Sequence, residues 1–286
     1  MPNSKLRPTP AFPEASRPVP NRIHRESFAR FAFTYGRTGP HRAGDAPLVS
    51  EPGAIDFAFT ANPFARIQRG NGRTEARAIR PGSGSSVGEP FAWVEVPDPS
   101  EFVEVRPDAA FRREIASDLK RPDLTGLGER LGHGEPWLFA LASRFRAHAS
   151  GGRPVSDLEG EALVATALRH MVVALGGRPP GRTRHGLDPR RLARVLEHIE
   201  AHLDRPLSGT ELADAAAVSR FHFNRMFTLA VGVTPHAFVT ARRMSRARAL
   251  LEAGAPVTAA ARSVGYAPAH RFRQAFREQF GPEMTR

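Results

Sequence analysis

The composition of this 286-residue chain excludes several classes of protein. It contains no cysteine, which rules out disulfides, thiolate metal sites and cysteine nucleophiles and favours a reducing compartment. Its sequence shows no apolar run long enough to span a bilayer and no apolar signal core near residue 1. We therefore expect a cytoplasmic protein with no membrane partner.

The net charge of +12 is concentrated toward the C-terminus. Residues 178–286 contain 18 arginines and 9 acidic side chains, a net charge of +9. A basic domain joined to a nearly neutral one indicates a polyanion-binding module attached to another function. An arginine-rich composition without such a function is the alternative explanation.

The first part of the chain predicts a short arm followed by a domain of strands and then helices. Residues 1–21 carry six prolines and are expected to form a disordered arm. Alternating apolar residues predict strands in AIDFAF, FAWVEV and EFVEV, whereas residues 80–90, RPGSGSSVGEP, are expected to form a loop. Helical spacing follows in EPWLFALASRFRAHA and DLEGEALVATALRHMVVAL. We assign residues 22–175 to one domain and residues 176–186, GGRPPGRTRHG, to a linker.

After the linker, the sequence predicts only helices. LSGTEL starts one of them, with Ser208 as its cap and Glu211 able to reach back to the cap. A turn at 217–218 leads to a second helix that Ser219 can cap. A short helix, a tight turn and a basic amphipathic helix make a helix-turn-helix unit, here over about residues 208–231.

The second helix of this unit has an apolar side and a polar side. Phe223 and Phe227 lie four residues apart and are expected to pack inward, while Arg220, Asn224 and Arg225 project. A guanidinium group can bind guanine bidentately, and an amide can bind adenine. The pattern therefore predicts contacts with bases or phosphates, against the alternative of a solvated polar face.

The same pattern occurs a second time. A long helix is predicted from about Pro235 to Leu251, followed by a short helix, a turn at 265–266 and another basic helix. This second unit spans about residues 257–280, and the inner stripe of its basic helix is formed by Phe272, Phe276 and Phe280. A second unit makes DNA binding a more specific interpretation than one isolated motif would.

This region resembles the DNA-binding domain of the AraC/XylS family of bacterial transcription regulators. The similarity covers about residues 190–281 and includes LADAAAVSRFHFNRMF, GVTPHAFVTARRMSRARALL and AARSVGYAPAHRFRQAFREQFG. It implies that residues 187–286 form an all-α domain of two helix-turn-helix units joined by one long helix. Together with the projecting side chains, it predicts DNA-binding residues in both units: Ser219, Arg220, Phe221, His222, Asn224 and Arg225, and then His270, Arg271, Arg273, Gln274 and Arg277.

The order of elements in residues 22–175 is similar to the effector-sensing, dimerising domain of many family members. The resemblance implies an α+β fold, with an N-terminal cupin-like β-barrel followed by helices. It also implies a sequence-specific DNA-binding transcription regulator, an activator or a repressor, that is not an enzyme and needs no cofactor. The expected partners are double-stranded DNA, RNA polymerase and a small-molecule effector, and the expected state is a monomer or a homodimer.

Departures from the family pattern lie in the second unit. Ala260 stands where the family usually has Ile, Pro268 and its neighbour Ala267 provide no serine cap, and Gln274 stands where Arg is usual. They predict weaker and more phosphate-based binding by this unit. The arginines of the long helix are expected to contact phosphates or to be plain surface charge: Arg242, Arg243, Arg246 and Arg248.

Two other functions fit parts of the sequence. The chain could be a non-specific nucleic-acid binder, or a cupin-like enzyme with a basic tail. The enzyme is disfavoured because the only histidines in residues 1–132 are His24 and His41, so no metal site is expected. Three aromatic residues are candidates either for the wall of a ligand pocket or for ordinary core: Tyr35, Phe91 and Trp93.

Overall fold

The computed structural model describes residues 21–46, 48–119, 131–133, 135–175 and 187–282. Residues 1–20 of the arm predicted at residues 1–21, and the whole linker predicted at residues 176–186, lie outside this set. In the described part of the chain, no helix is both long enough and apolar enough to cross a membrane.

Ten strands form two antiparallel sheets in the described N-terminal region. The six-stranded sheet has the order β1-β2-β9-β4-β7-β10 and the four-stranded sheet the order β3-β8-β5-β6. Their bounds are β1 Arg22–Ser27, β2 Phe31–Thr38, β3 Leu48–Ser50, β4 Ile55–Ala58, β5 Arg66–Arg69, β6 Thr74–Ala76, β7 Ser83–Ser86, β8 Phe91–Glu95, β9 Ser100–Pro107 and β10 Leu131–His133.

The helices confirm the α+β class. In the N-terminal region they are α1 Ala109–Asp118, α2 Pro136–Ala149 and α3 Asp157–Leu175. The C-terminal helices are α4 Pro189–Ala201, α5 Gly209–Ala215, α6 Arg220–Val231, α7 Pro235–Glu252, α8 Val257–Ser263 and α9 Ala269–Phe280. Among the described strands, the sheets do not close into a barrel, because β1 and β10 each pair on one side only.

Residues 80–90 contain a strand, so the prediction of a loop there was wrong. β7 has the sequence SGSS and is buried along its length. A Cβ at Gly84 would lie 1.9 Å from the Leu138 side chain and 2.6 Å from the Asp56 carbonyl oxygen. The small residues that suggested a loop are therefore needed where α2 packs closely on the sheet.

The six-stranded sheet has one apolar and one polar face. Phe33, Val105 and Ile55 occupy successive register positions on β2, β9 and β4, and all three are buried in the core that contains α2. Thr34 and Glu104 start the next row, which points to the opposite face because side chains alternate along a strand. That face is turned away from the helices.

The apolar core continues from the N-terminal helices into the first helix-turn-helix unit. The Phe139 ring on α2 lies 5.8 Å from the Phe238 ring on α7, which lies 5.7 Å from Phe227 on α6. The second unit has a separate core, made of Met244, Ala247, Ala261, Val264, Phe272, Phe276 and Phe280. The change from one core to the other occurs along α7.

Candidate nucleic-acid interface and ligand cavity

The first helix-turn-helix unit is built from α5, a turn and α6. The Ser208 hydroxyl accepts a hydrogen bond from the Glu211 backbone N–H at 3.0 Å, and Ser219 caps α6 through the His222 N–H at 3.4 Å. Both Phe223 and Phe227 are fully buried. The predicted caps and apolar stripe are thus present, and they fix the orientation of α6.

Glu211 reaches back to the Ser208 backbone N–H, as its spacing predicted, and it has further partners. Its carboxylate accepts hydrogen bonds from Arg205 at 2.5 Å and from His198 at 2.7 Å. The bond from Arg205, followed by that from His198, lowers the pKa of Glu211 to about 2. The side chain therefore ties α5 to the end of α4 and to the segment that follows it.

The residues of α6 predicted to bind DNA lie together on its exposed side. Phe221 is 85% exposed, which is unusual for an aromatic side chain. The other members of this group are also exposed: Ser219, Arg220, His222, Asn224 and Arg225. The structure holds these groups on one rigid helix, and their contact with DNA stays a prediction.

The second unit repeats this geometry with a weaker N-terminus. Gly265 takes a positive φ of 76° in the turn, and Pro268 precedes α9 without a side-chain cap. The Gln274 side chain donates a hydrogen bond to Glu278 on the same helix at 3.1 Å. The residues of α9 predicted to bind DNA are all exposed: His270, Arg271, Arg273, Gln274 and Arg277.

The expectation for the arginines of α7 was wrong for Arg248. It is buried, and its guanidinium group lies 2.6 Å from the carboxylate of Glu101 on β9. Arg242 binds Glu200 at 2.5 Å, and Arg243 donates to the carbonyl oxygen of Arg205. One side of α7 meets the N-terminal domain, which the sequence pattern of α7 does not reveal.

Comparisons with known proteins find similarity over the C-terminal helices. Residues 212–285 match a family of helix-turn-helix domains. The chain is 34% identical over 99 residues to a probable transcriptional regulator, LumQ, of Photobacterium leiognathi, covering 34% of this chain and 40% of that protein. It is 35% identical over 87 residues to the transcriptional regulator Rob of Salmonella typhimurium, covering 30% of each chain. The crystal structure of a probable AraC family transcriptional regulator from Rhodopseudomonas palustris is 31% identical, with 34% of this chain and 92% of that chain covered and a TM-score of 0.31.

The C-terminal domain is of the AraC/XylS type. The matched region spans less than half the length of LumQ and of Rob. The similarity to these regulators is therefore limited to the AraC/XylS-type domain.

A cavity of about 370 Å³ lies in the N-terminal domain and is lined by residues of both sheets. The polar face of the six-stranded sheet forms one wall, where the register places Arg25, Thr34, Glu104, Asp56 and Ser85 in one row. Trp93 lines the cavity, whereas Phe91 and Tyr35 are buried elsewhere as core residues. Of the three aromatic candidates, only Trp93 thus borders this cavity.

Two carboxyl groups face each other across this polar wall. Asp56 and Glu104 are direct partners on β4 and β9. Burial, followed by the negative charge of Glu104, raises the pKa of Asp56 to about 8. Burial also raises the pKa of Glu104, although Arg106 opposes this change. The protonated form of Asp56 is therefore favoured, and in this form the carboxyl group can donate a hydrogen bond.

His24, Glu26 and His148 are the one group of potential metal ligands found in the described residues. The Glu26 carboxylate lies 3.0 Å from His24 Nε2 and 2.6 Å from His148 Nε2. However, His148 Nδ1 accepts a hydrogen bond from the Val155 N–H at 2.9 Å. The proton of a neutral His148 must then be on Nε2, where it is donated to Glu26. We interpret this group as a hydrogen-bond network between β1 and α2 rather than a metal site.

Proposed function

We propose that this chain is a sequence-specific, cytoplasmic transcription regulator that binds double-stranded DNA through both helix-turn-helix units. The observation that carries this proposal is the pair of exposed basic helices, α6 and α9, joined through one continuous helix. α7 has 18 residues and is about 27 Å long at 1.5 Å per residue. α6 precedes α7, and α9 follows it after the short helix α8. The two basic helices can therefore approach the spacing of about 34 Å between successive major-groove segments.

In this proposal, a small-molecule signal binds in the N-terminal cavity. The volume of the cavity suits a compact ligand, and the cavity wall combines the Trp93 ring with the donor and acceptor groups of Asp56 and Glu104. Contact with RNA polymerase and a monomeric or homodimeric state stay predictions.

Selection from a pool of random duplexes, followed by footprinting with excess competitor DNA, tests this function. A regulator should select a discrete sequence and protect it against competition. Diffuse protection would favour a non-specific nucleic-acid binder. Failure to bind DNA, together with turnover of a small molecule, would favour the enzyme.

The side chains of α6 are tested on the selected site. We expect Asn224→Ala and Arg225→Ala each to cost about 1–3 kcal/mol of binding free energy on that site, because a bidentate contact with a base is lost. The loss on random DNA should be much smaller. Arg194→Ala, which removes an exposed arginine from α4, is the control for charge. Equal losses on both DNAs would mean that Asn224 and Arg225 bind only the backbone.

A further inference from the structure

The two helix-turn-helix units contact the N-terminal domain through different chemistry. The first unit shares an apolar core with α2 and α3, in which the rings of Phe139 and Phe238 pack edge to face. The second unit has its own core and is held to α2 and the turn after it by polar contacts. The Gln279 side chain donates to the Ser143 carbonyl oxygen at 3.0 Å, and the Arg153 N–H donates to that of Glu278 at 3.1 Å.

Glu101 on β9 adds a buried ion pair with Arg248 on α7, and the charge of Arg146 on α2 also acts on the Glu101 carboxylate. Glu101 is 3% exposed and Arg248 is 7% exposed, and one guanidinium nitrogen lies 2.6 and 2.7 Å from the two carboxylate oxygens. The Tyr35 hydroxyl donates to the same carboxylate at 2.9 Å, and Arg248 also binds Glu252 on its own helix. Breaking a buried pair leaves one charge without compensation, so the pair constrains the positions of both domains.

This attachment places part of the N-terminal domain beside the exposed face of α9. A groove of about 670 Å³ is lined by the turn at residues 151–153 and, on α9, by His270, Arg273, Gln274, Arg277 and Glu278. Gly152 packs against the backbone of α9 so closely that a Cβ would lie 2.1 Å from the Glu278 carbonyl oxygen. A helix that enters a major groove needs its outer face and flanks free for the DNA. The turn therefore borders the face of α9 that is predicted to bind DNA.

We propose that the Glu101–Arg248 pair is a latch that holds the second helix-turn-helix unit against the N-terminal domain and restrains its binding to DNA. This inference rests on the proposed function, because it supposes that α9 binds DNA. Phe238 and Arg248 are ten residues apart, or about 15 Å along α7. A rotation of the domain about the apolar contact at Phe238 would separate Arg248 from Glu101 and move α9 away from the turn.

The latch is connected to the cavity through β9. Phe102 and Glu104 project from one side of this strand into the cavity, whereas Glu101 projects from the helix-facing side and also borders the cavity. A molecule that binds against Phe102 and Glu104 contacts β9, the strand that carries Glu101, and can shift its position. The cavity and the second unit can thus communicate over the thickness of one sheet.

The charge-removing substitution Glu101→Gln tests the latch in the full-length protein. Glutamine keeps the shape of the side chain but removes its charge, and its amide nitrogen cannot accept a hydrogen bond, so it holds Arg248 more weakly. We expect about 5- to 30-fold tighter binding to the DNA selected by the wild-type protein, and a smaller gain when the half-site under α9 is scrambled. Glu200→Gln removes the same charge from an ion pair within the C-terminal domain, so it controls for the general attraction of DNA. Unchanged or weaker binding by a folded Glu101→Gln variant, relative to Glu200→Gln, would overturn the proposal.

A distance measurement tests the same movement without changing the latch. The chain has no cysteine, so spin labels can be attached specifically to Leu158→Cys on α3 and Arg262→Cys on α8, both exposed in the structure. This distance should lengthen when the selected DNA is added, and it should change less between Leu158→Cys and Asp214→Cys on α5. An unchanged distance to α8 would contradict the latch while specific DNA binding still supports the proposed function. If the wild-type protein selects no DNA site, the proposed function itself fails.

Discussion

At the scale of single residues, the wall of the cavity places the carboxyl group of Asp56 beside that of Glu104, which is unfavourable when both are charged. Like charges directly opposite on neighbouring strands destabilise a sheet, and Asp56 faces Glu104 in this way. Asp56 lines the cavity, and its burial disfavours the charged form of the carboxyl group. The Ser85 hydroxyl, at 3.3 Å, provides one hydrogen bond to it. The site therefore favours the protonated form of Asp56.

We expect Asp56→Asn to stabilise the protein increasingly as pH rises. The folded-state pKa of about 8 is above the ordinary value of 3.8, so the wild-type protein loses stability between these values as its unfolded state releases the proton first. Asparagine has no proton to lose. The difference in free energy of unfolding should grow by up to about 1 kcal/mol per pH unit between pH 5 and pH 8. Urea denaturation at several pH values measures it, and a constant difference would show that Asp56 is ionised in the folded protein.

At the scale of elements, the turn of each helix-turn-helix unit contains a residue with a positive φ, but the residue type differs between the two units. Ala217 has a φ of +52° in the first turn, and Gly265 has a φ of +76° in the second. Only glycine adopts this conformation without steric cost. A Cβ at Gly265 would also lie 3.0 Å from the backbone of Asp204. The first turn thus carries a strain that the second avoids.

We expect Ala217→Gly to raise the free energy of unfolding by up to about 1 kcal/mol, because relief of the left-handed strain outweighs the added entropy of the unfolded chain. Gly265→Ala should lower it by about 1 kcal/mol or more. Thermal or urea denaturation of both variants checks the pair. If Ala217→Gly destabilises the protein, the Ala217 methyl group contributes packing that exceeds the strain.

At the scale of the whole molecule, the distribution of arginines determines how DNA binding should respond to salt. The exposed faces of α6 and α9 carry five arginines, namely Arg220, Arg225, Arg271, Arg273 and Arg277. Arg248 contributes to the same positive sum but is buried against Glu101. The net charge of the domain therefore overestimates the number of positive charges that can contact a duplex.

We expect the logarithm of the binding constant to fall with the logarithm of salt concentration with a slope of about −4 to −5, as for five neutralised phosphates. Arg277→Ala should reduce the magnitude of this slope by about 1. Arg194→Ala on α4 is the matched control and should leave it nearly unchanged. Binding measured between low and physiological salt checks both values, and a flat response would contradict a phosphate-dominated interface.

The sequence by itself determined the architecture of the AraC/XylS-type domain, because its signals are local. The phenylalanine stripes, the caps Ser208 and Ser219 and the length of α7 depend on residues within a few positions of one another. The order of strands and then helices was equally readable, although the closed barrel was not confirmed. The domain boundary at residue 187 and the DNA-binding residues stay predictions.

Only the tertiary structure decided which distant residues meet. Glu101 and Arg248 are 147 positions apart, and Glu26 and His148 are 122 apart, so no periodicity in the chain indicates either contact. The polar cavity wall depends on the register of β4 against β9, and the burial of β7 depends on how closely α2 approaches it. Sheet register and domain docking are set by packing summed over the whole molecule, which short-range patterns do not contain.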